Sequence, residues 1–146
     1  MSMKKLVALF IAFLAFFFVN HAAFANDYTV VNTNDSGAGS LRQAIADAVA
    51  SPVGTDRIIF NIPTVDPGYD TATGVWTIRP LSDLPLIYTG NITIDGTTQP
   101  NHNPDGPEIL IDGSEAALNA GFQIVASNSI FIVRTGFIFL ILKIPP

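Results

Sequence analysis

The chain of 146 residues contains no cysteine. Disulfides, thiol nucleophiles and cysteine-based zinc sites are therefore excluded. Histidine is nearly absent as well, with His21 and His102 as the two examples. Charged residues make up 13% of the chain, seven basic against twelve acidic. A surface this short of positive charge disfavours nucleic acid and anionic membranes as partners, since both need a basic face. The glycine loop of nucleotide-binding proteins, the nucleophile elbow and the metalloprotease helix are all missing. Gly37-Ala38-Gly39 lies ahead of a helical pattern but has no lysine where an anion site of that kind would need one.

What the sequence does have, first, is a leader. Lys4 and Lys5 give a positive start, and Leu6 to Val19 is an unbroken apolar run. Ala23-Phe24-Ala25 then puts small residues at the two positions a signal peptidase reads, so cleavage is expected between Ala25 and Asn26. The run stops at Asn20 and His21, short of the roughly 20 apolar residues a membrane helix needs. The expected localisation is secreted or cell surface, with no stable membrane span once the leader is gone. Removing residues 1–25 takes away six of the 11 phenylalanines, so the positive mean hydropathy overstates how apolar the mature chain is. It also removes Lys4, Lys5 and His21, leaving five basic side chains against twelve acidic and a single histidine. A multi-histidine metal site is then impossible. In a bacterial exported protein Asn34-Asp35-Ser36 and Asn91-Ile92-Thr93 are chance matches to the glycosylation pattern. With no disulfide, burial and hydrogen bonds alone must hold the domain.

Tyr28 to Asn32 reads as a strand, and Asn34-Asp35-Ser36-Gly37-Ala38-Gly39 as a turn-rich loop. Ser40 opens a helix as the first residue of a Ser-x-x-Gln capping box, with Gln43 expected to reach back. Leu41, Ala44, Ile45, Ala48 and Val49 follow as one apolar stripe. Ser51-Pro52 and Gly54 stop it. Beyond Asp56 short apolar runs alternate with turn residues: Ile58–Ile62, Val75–Ile78, Leu86–Tyr88, Asn91–Ile94, Glu108–Ile111 and Phe122–Val125. This pattern predicts an all-β body with one N-terminal helix.

A short repeat lies within it. Ile92-Thr93-Ile94-Asp95-Gly96-Thr97 matches Ile109-Leu110-Ile111-Asp112-Gly113-Ser114, seventeen residues later. Strand-and-turn units recurring at about 15 to 20 residues fit a β-solenoid, in which each coil stacks on the last. A β-sandwich also gives short strands with turns, and the pattern alone leaves both open.

Several blocks in fixed order resemble one family. They are Thr33-Asn34-Asp35-Ser36-Gly37-Ala38-Gly39-Ser40-Leu41-Arg42-Gln43-Ala44-Ile45 and Asp56-Arg57-Ile58-Ile59-Phe60-Asn61-Ile62-Pro63. Then come Trp76-Thr77-Ile78, Ile92-Thr93-Ile94-Asp95-Gly96-Thr97-Thr98-Gln99-Pro100, Ile111-Asp112-Gly113 and Ile124-Val125-Ala126-Ser127-Asn128. Over about 100 residues, Tyr28 to Ser127, the chain resembles the N-terminal part of bacterial exported proteins with right-handed parallel β-helix repeats, the pectin-lyase-like architecture. The first block is similar to the family's Cys-Ser-Leu-Arg-Glu-Ala-Ile signature, with Gly39 in place of Cys and Gln43 in place of Glu. The resemblance implies a right-handed parallel β-helix whose N-terminal helix caps the first coil. The expected organisation is a signal peptide at 1–25, a capped N-terminal β-helix part at 26–128 and an atypical apolar tail at 129–146.

The tail departs from the family. Ser129 to Pro146 has no turn residue between Gly136 and Pro145, where the family continues with further coils. Arg134 and Gly136 leave too few apolar residues before Lys143 for a membrane helix. The sequence reading is a truncated or frame-shifted end. Phe137 to Leu142, apolar and without charge or proline, has the composition of an aggregation-prone segment. On that reading the mature chain self-associates through an open β-helix end, and a chain ending near Asn128 behaves better.

Candidate chemistry is thin. Asp95 and Asp112 occupy the same place in the two repeat copies. If the copies were adjacent coils, strands about 4.8 Å apart would set the carboxylates side by side, as in a glycosidase pair or a shared Ca²⁺. The simpler reading makes each Asp-Gly a turn, the carboxylate bonding backbone amides. Asp83 in Ser82-Asp83 also reads as a turn residue. His102 lies in a loop with three prolines and reads as solvated. Arg42 is expected to bond a nearby carboxylate or carbonyl. Trp76 and Tyr88 could stack on sugars, although a lone tryptophan in a strand is expected to pack inward. The expected function is a non-catalytic structural or adhesive module of a bacterial surface or secreted protein, a truncated fragment that needs no cofactor. Its partners would be a polysaccharide or a host or cell-surface ligand. The competing reading is a carbohydrate-active β-helix enzyme, a polysaccharide lyase or glycoside hydrolase.

Overall fold

The structure, a computed structural model, describes residues 25–51, 54–100 and 106–114, together with the backbone of two strands at 130–132 and 139–141. The expected strand at Phe122–Val125 and the loop of His102 lie outside the described residues. The elements run in chain order as β1 (Asp27–Val30), α1 (Leu41–Ala50), β2 (Asp56–Phe60), β3 (Tyr69–Asp70), β4 (Val75–Ile78) and β5 (Ile92–Asp95). One turn of 3-10 helix (Gly96–Thr98), β6 (Ile109–Asp112), β7 (Ile130–Ile132) and β8 (Phe139–Ile141) follow.

Helix α1 starts where its sequence directs. Ser40 is extended, and its hydroxyl accepts from the Gln43 amide at 3.2 Å. This satisfies one of the free donors of the first turn. The return half of the capping box is not made, which corrects the sequence expectation. The Ser40 amide already donates to the Gly37 carbonyl at 3.2 Å, and the Gln43 side chain instead donates to Asp47 at 2.7 Å. Gly39, with φ at 76°, turns its carbonyl to accept from the amides of Val31 and Asn32. A Cβ at Gly39 would collide with the Val31 side chain. At the other end Ser51 caps the helix, its amide donating to the Ala48 carbonyl at 3.3 Å. Leu41, Ala44, Ile45 and Ala48 are buried, and Val49 packs partly buried beside them. Full burial of Leu41 and Ile45 stabilises by about 1.5–3 kcal/mol each. The helix lies against β1 and β2.

The strands form two four-stranded sheets, one in the order β1-β2-β5-β7 and the other β3-β4-β6-β8. All pairings are parallel except the antiparallel pair of β3 and β4. From β4 onward each successive strand joins the opposite sheet. Every return to a sheet lays the new strand parallel to the one left there a circuit earlier. Ile58 pairs with Ile94 and Ile94 with Phe131 in the first sheet. Ile78 pairs with Ile111 and Ile111 with Leu140 in the second. The tail thus supplies the last strand of each sheet.

This register revises the meaning of the repeat. Its two copies are β5 and β6, which lie in different sheets. The seventeen-residue spacing is the step from one sheet to the other. From β2 onward a strand finds its next parallel neighbour only after the chain has visited the other sheet, so these stacked partners are about twice that distance apart in sequence. Of the expected Leu86–Tyr88 strand, Ile87 alone forms a bridge. Pro85 precedes it and cannot donate to a ladder. Ile87 is buried while Leu86 and Tyr88 face outward.

The inner faces of both sheets meet α1 in one apolar cluster. Ile58 and Phe60, Trp76 and Ile78, Ile92 and Ile94, and Ile109 and Ile111 contribute alternate residues of four strands. Period two puts such residues on one face. Trp76 is fully buried, donates its indole N–H to the Pro63 carbonyl at 3.1 Å, and packs its ring 4.4 Å from that of Tyr69.

Candidate functional site

Aspartates hold the corners of this fold. Asp95 ends β5, and its Oδ1 accepts from the amide and hydroxyl of Thr97 at 3.1 and 2.6 Å. Asp112 ends β6 and accepts from the amide of Ser114 at 3.1 Å. The same two-residue reach, a turn closed by a side chain, accounts for the likeness of the two copies. Each carboxylate also meets an arginine: Arg57 lies 3.5 Å from Asp95, and Arg79 lies 3.4 Å from Asp112. Asp95 aligns with Ile59 and Ile132, whereas Asp112 aligns with Ile141 in the other sheet. The side-by-side stacking that adjacent coils would have given is therefore not formed. Hydrogen bonds from the Ser114 hydroxyl and amide, with the charge of Arg79 adding to them, hold the Asp112 carboxyl below its usual range against the opposing effect of burial.

The corner after β5 reaches back to β2. The Thr98 hydroxyl accepts from the Phe60 amide at 2.8 Å and donates to the Asp95 carbonyl at 2.8 Å. Gln99, buried to 1% exposure, accepts from the Ile62 amide and donates to the Ile62 carbonyl, both at 2.8 Å. Sequence reasoning overlooked Gln99 and Thr98. The available signal was a polar Thr97-Thr98-Gln99 run directly after a strand, with Pro100 ending it.

Arg42 is a structural fork. Its guanidinium donates to the carbonyl of Asp35 at 3.1 Å, to the Asp35 carboxylate at 2.8 Å, to the Ser82 carbonyl at 3.0 Å and to the Asp83 carbonyl. It ties the start of α1 to the segment that follows β4, as expected of a residue bonding nearby carboxylate and carbonyl groups. Asp35 also accepts from the Leu81 amide at 2.9 Å. Burial works against the charge of Asp35, but the Arg42 and Leu81 hydrogen bonds and the Arg42 charge prevail and lower its pKa. Asp83 keeps one buried carboxylate oxygen without a hydrogen bond. Past it, Leu86 and Tyr88 are exposed, as is Leu81 before it. Tyr88, at 62% exposure, is the exposed large aromatic among the described residues, whereas Trp76 is fully buried.

A cavity of about 340 Å³ lies where the end of α1 meets the start of β2 and the turn before β5. Ala48, Ser51, Gly54, Asp56, Thr89 and Asn91 line it. Asn91 takes a left-handed φ of 65°, and the Thr89 hydroxyl is buried without a partner. Asp56 is 4% exposed, and its Oδ1 accepts from the backbone and side-chain nitrogens of Asn26 at 3.3 Å each. Sequence reading gave Asp56 no role, ahead of the expected Ile58–Ile62 strand; a single acid before an apolar run gave no warning of its burial. Among the described residues no three His, Cys, Asp or Glu side chains gather as a metal site would require, and no helix is long and apolar enough to cross a membrane. No protein-family model, no curated protein and no solved structure matches the chain.

Proposed function

We propose that the protein is exported through cleavage between Ala25 and Asn26 and serves as a non-catalytic structural or adhesive module. In this reading it is the capped N-terminal part of a right-handed parallel β-helix in a bacterial surface or secreted protein. The observation that carries it is the register, in which the chain alternates between two sheets and lays each strand parallel on the one a circuit earlier. Parallel strands need long crossover connections, and repeated circuits supply them. The position of α1 against β1, the outermost strand of the first sheet, suits a cap, because an uncovered edge invites pairing with other chains. The commitment of Asp95 and Asp112 to separate turns and separate arginines favours a scaffold over an acid pair. A polysaccharide or a cell-surface ligand would meet the outer face, where Tyr88 is exposed.

The test is to fractionate producing cells and then incubate the exported protein with a panel of polysaccharides. Recovery outside the cytoplasm, with retention on a polysaccharide and no release of reducing ends or unsaturated sugars, is the expected outcome. Turnover of any polysaccharide would establish the enzymatic reading instead, and a product confined to the cytoplasm would remove export.

A further inference from the structure

Asp56 is the most deeply buried carboxylate among the described residues, at 4% exposure. An ionised carboxylate removed from water needs a compensating charge or several hydrogen bonds. The three described arginines are committed elsewhere: Arg42 to Asp35, Arg57 to Asp27 and Asp95, and Arg79 to Asp112. Asp56 instead receives two nitrogens from one residue, Asn26, through its backbone N and its side-chain amide. The Arg57 amide donates to the Asn26 carbonyl at 2.8 Å, which fixes that residue beside the start of β2.

Asn26 is also the residue at which the leader is expected to be cut. Cleavage before it would convert its backbone nitrogen from a neutral amide with one N–H into an α-ammonium with three donors and a full positive charge. We propose that removal of residues 1–25 creates a counter-ion that Asp56 lacks among the described residues, so that processing itself completes the fold. The new N-terminus forms an ion pair with the Asp56 carboxylate across the 3.3 Å contact already in place. The balance is simple: hydrolysis of the Ala25–Asn26 bond consumes one water, leaves the carboxylate on Ala25 and the ammonium on Asn26. The inference rests on the proposed export reading for its cleavage site, and on the Asn26–Asp56 geometry for its consequence.

The experiment compares the mature chain beginning at Asn26 with the same chain extended by Ala25, each with Asp56 intact and with Asp56→Asn. Urea unfolding is followed by the fluorescence of Trp76. The mature chain is expected to have an unfolding equilibrium constant roughly 5- to 30-fold smaller than the extended chain. Asp56→Asn is expected to erase that difference. Equal stability of the two chains with Asp56 intact would overturn the proposal, and that comparison stands even if Asp56→Asn does not fold. A difference that persists in Asp56→Asn would overturn it as well. N-terminal sequencing of the exported protein reports the cut separately. A cut elsewhere would sink the export site while leaving the pairing of Asn26 with Asp56 to be judged by the unfolding data.

Discussion

The Gln99 side chain offers Ile62 both hydrogen bonds that a neighbouring strand would have supplied, accepting from its amide and donating to its carbonyl. Ile62 lies just past the end of β2, where the ladder stops. A buried side chain thus takes over from the sheet and carries the coupling between successive circuits around the corner.

Gln99→Ala should therefore cost about 2–4 kcal/mol, because two buried backbone groups lose their partners. Gln99→Glu should also destabilise, since the carboxylate cannot donate to the Ile62 carbonyl. Urea unfolding read by Trp76 fluorescence measures both. A midpoint unchanged in Gln99→Ala would show that water replaces the side chain without loss.

Leu41→Asp places an unpaired charge among Ile45, Ala44 and the inner residues of β1 and β2 and should destabilise by several kcal/mol. A thermal melt unaffected by this substitution would mean that α1 does not close the core.

The double substitution of Asp95 and Asp112 to Asn keeps an acceptor for the Thr97 and Ser114 amides and loses the two half-exposed arginine pairs. Surface pairs of this kind are worth about 0–1 kcal/mol, so the variant should fold with a small loss and bind any polysaccharide as before. Calcium should raise the melting temperature of neither protein. A rise confined to the parent would reveal a bound ion, because a ligand selective for the native state must stabilise it.

Acid should weaken the fold through Asp35 and Asp112. Both carboxyls titrate below their ordinary range when folded. Their contribution is present above the unfolded-state value of about 4 and is lost as pH falls through the folded values. Stability measured from pH 6 down to pH 2 should fall, and Asp35→Asn should flatten that fall. An equal pH slope in both proteins would assign the acid sensitivity to other groups.

Deleting residues 129–146 removes β7 and β8 together and leaves β5 and β6 as bare edges. The shortened chain is expected to unfold at lower urea or to self-associate, the reverse of the sequence expectation for a chain ending near Asn128, because β7 and β8 pair with β5 and β6 and unpaired strands recruit other chains. Size-exclusion chromatography beside circular dichroism decides this. A stable monomer of the shortened chain would show that the tail strands contribute nothing to the fold.

Helix α1 was legible almost residue by residue, because Ser40 at its start, a five-residue apolar stripe and Ser51-Pro52 at its end are all local signals. Strands β2, β4, β5 and β6 were legible in place, within a residue or two, from their branched runs. Their partners were not. The similarity of Ile92–Asp95 to Ile109–Asp112 reports equivalent corners, and corners recur in both sheets, so likeness in sequence does not mean adjacency in space. The site residues divide the same way. Arg42 and the turn roles of Asp95 and Asp112 follow from local chemistry. Asp56 and Gln99 owe their importance to residues more than 25 positions away, Asn26 and Ile62, which only folding brings near.

The same long circuits bear on how quickly the chain can fold. No parallel pair in either sheet can form before some thirty intervening residues have been gathered, and the entropy of closing such a loop is lost before any contact repays it. The antiparallel pair of Tyr69–Asp70 with Val75–Ile78 is the one short-range exception among the described strands. Folding should accordingly be slow, with a high share of contacts between distant segments, and α1 can form early without organising the rest. A polypeptide that collapses late stays open to threading, so on the proposed export reading its native state would not compete with translocation.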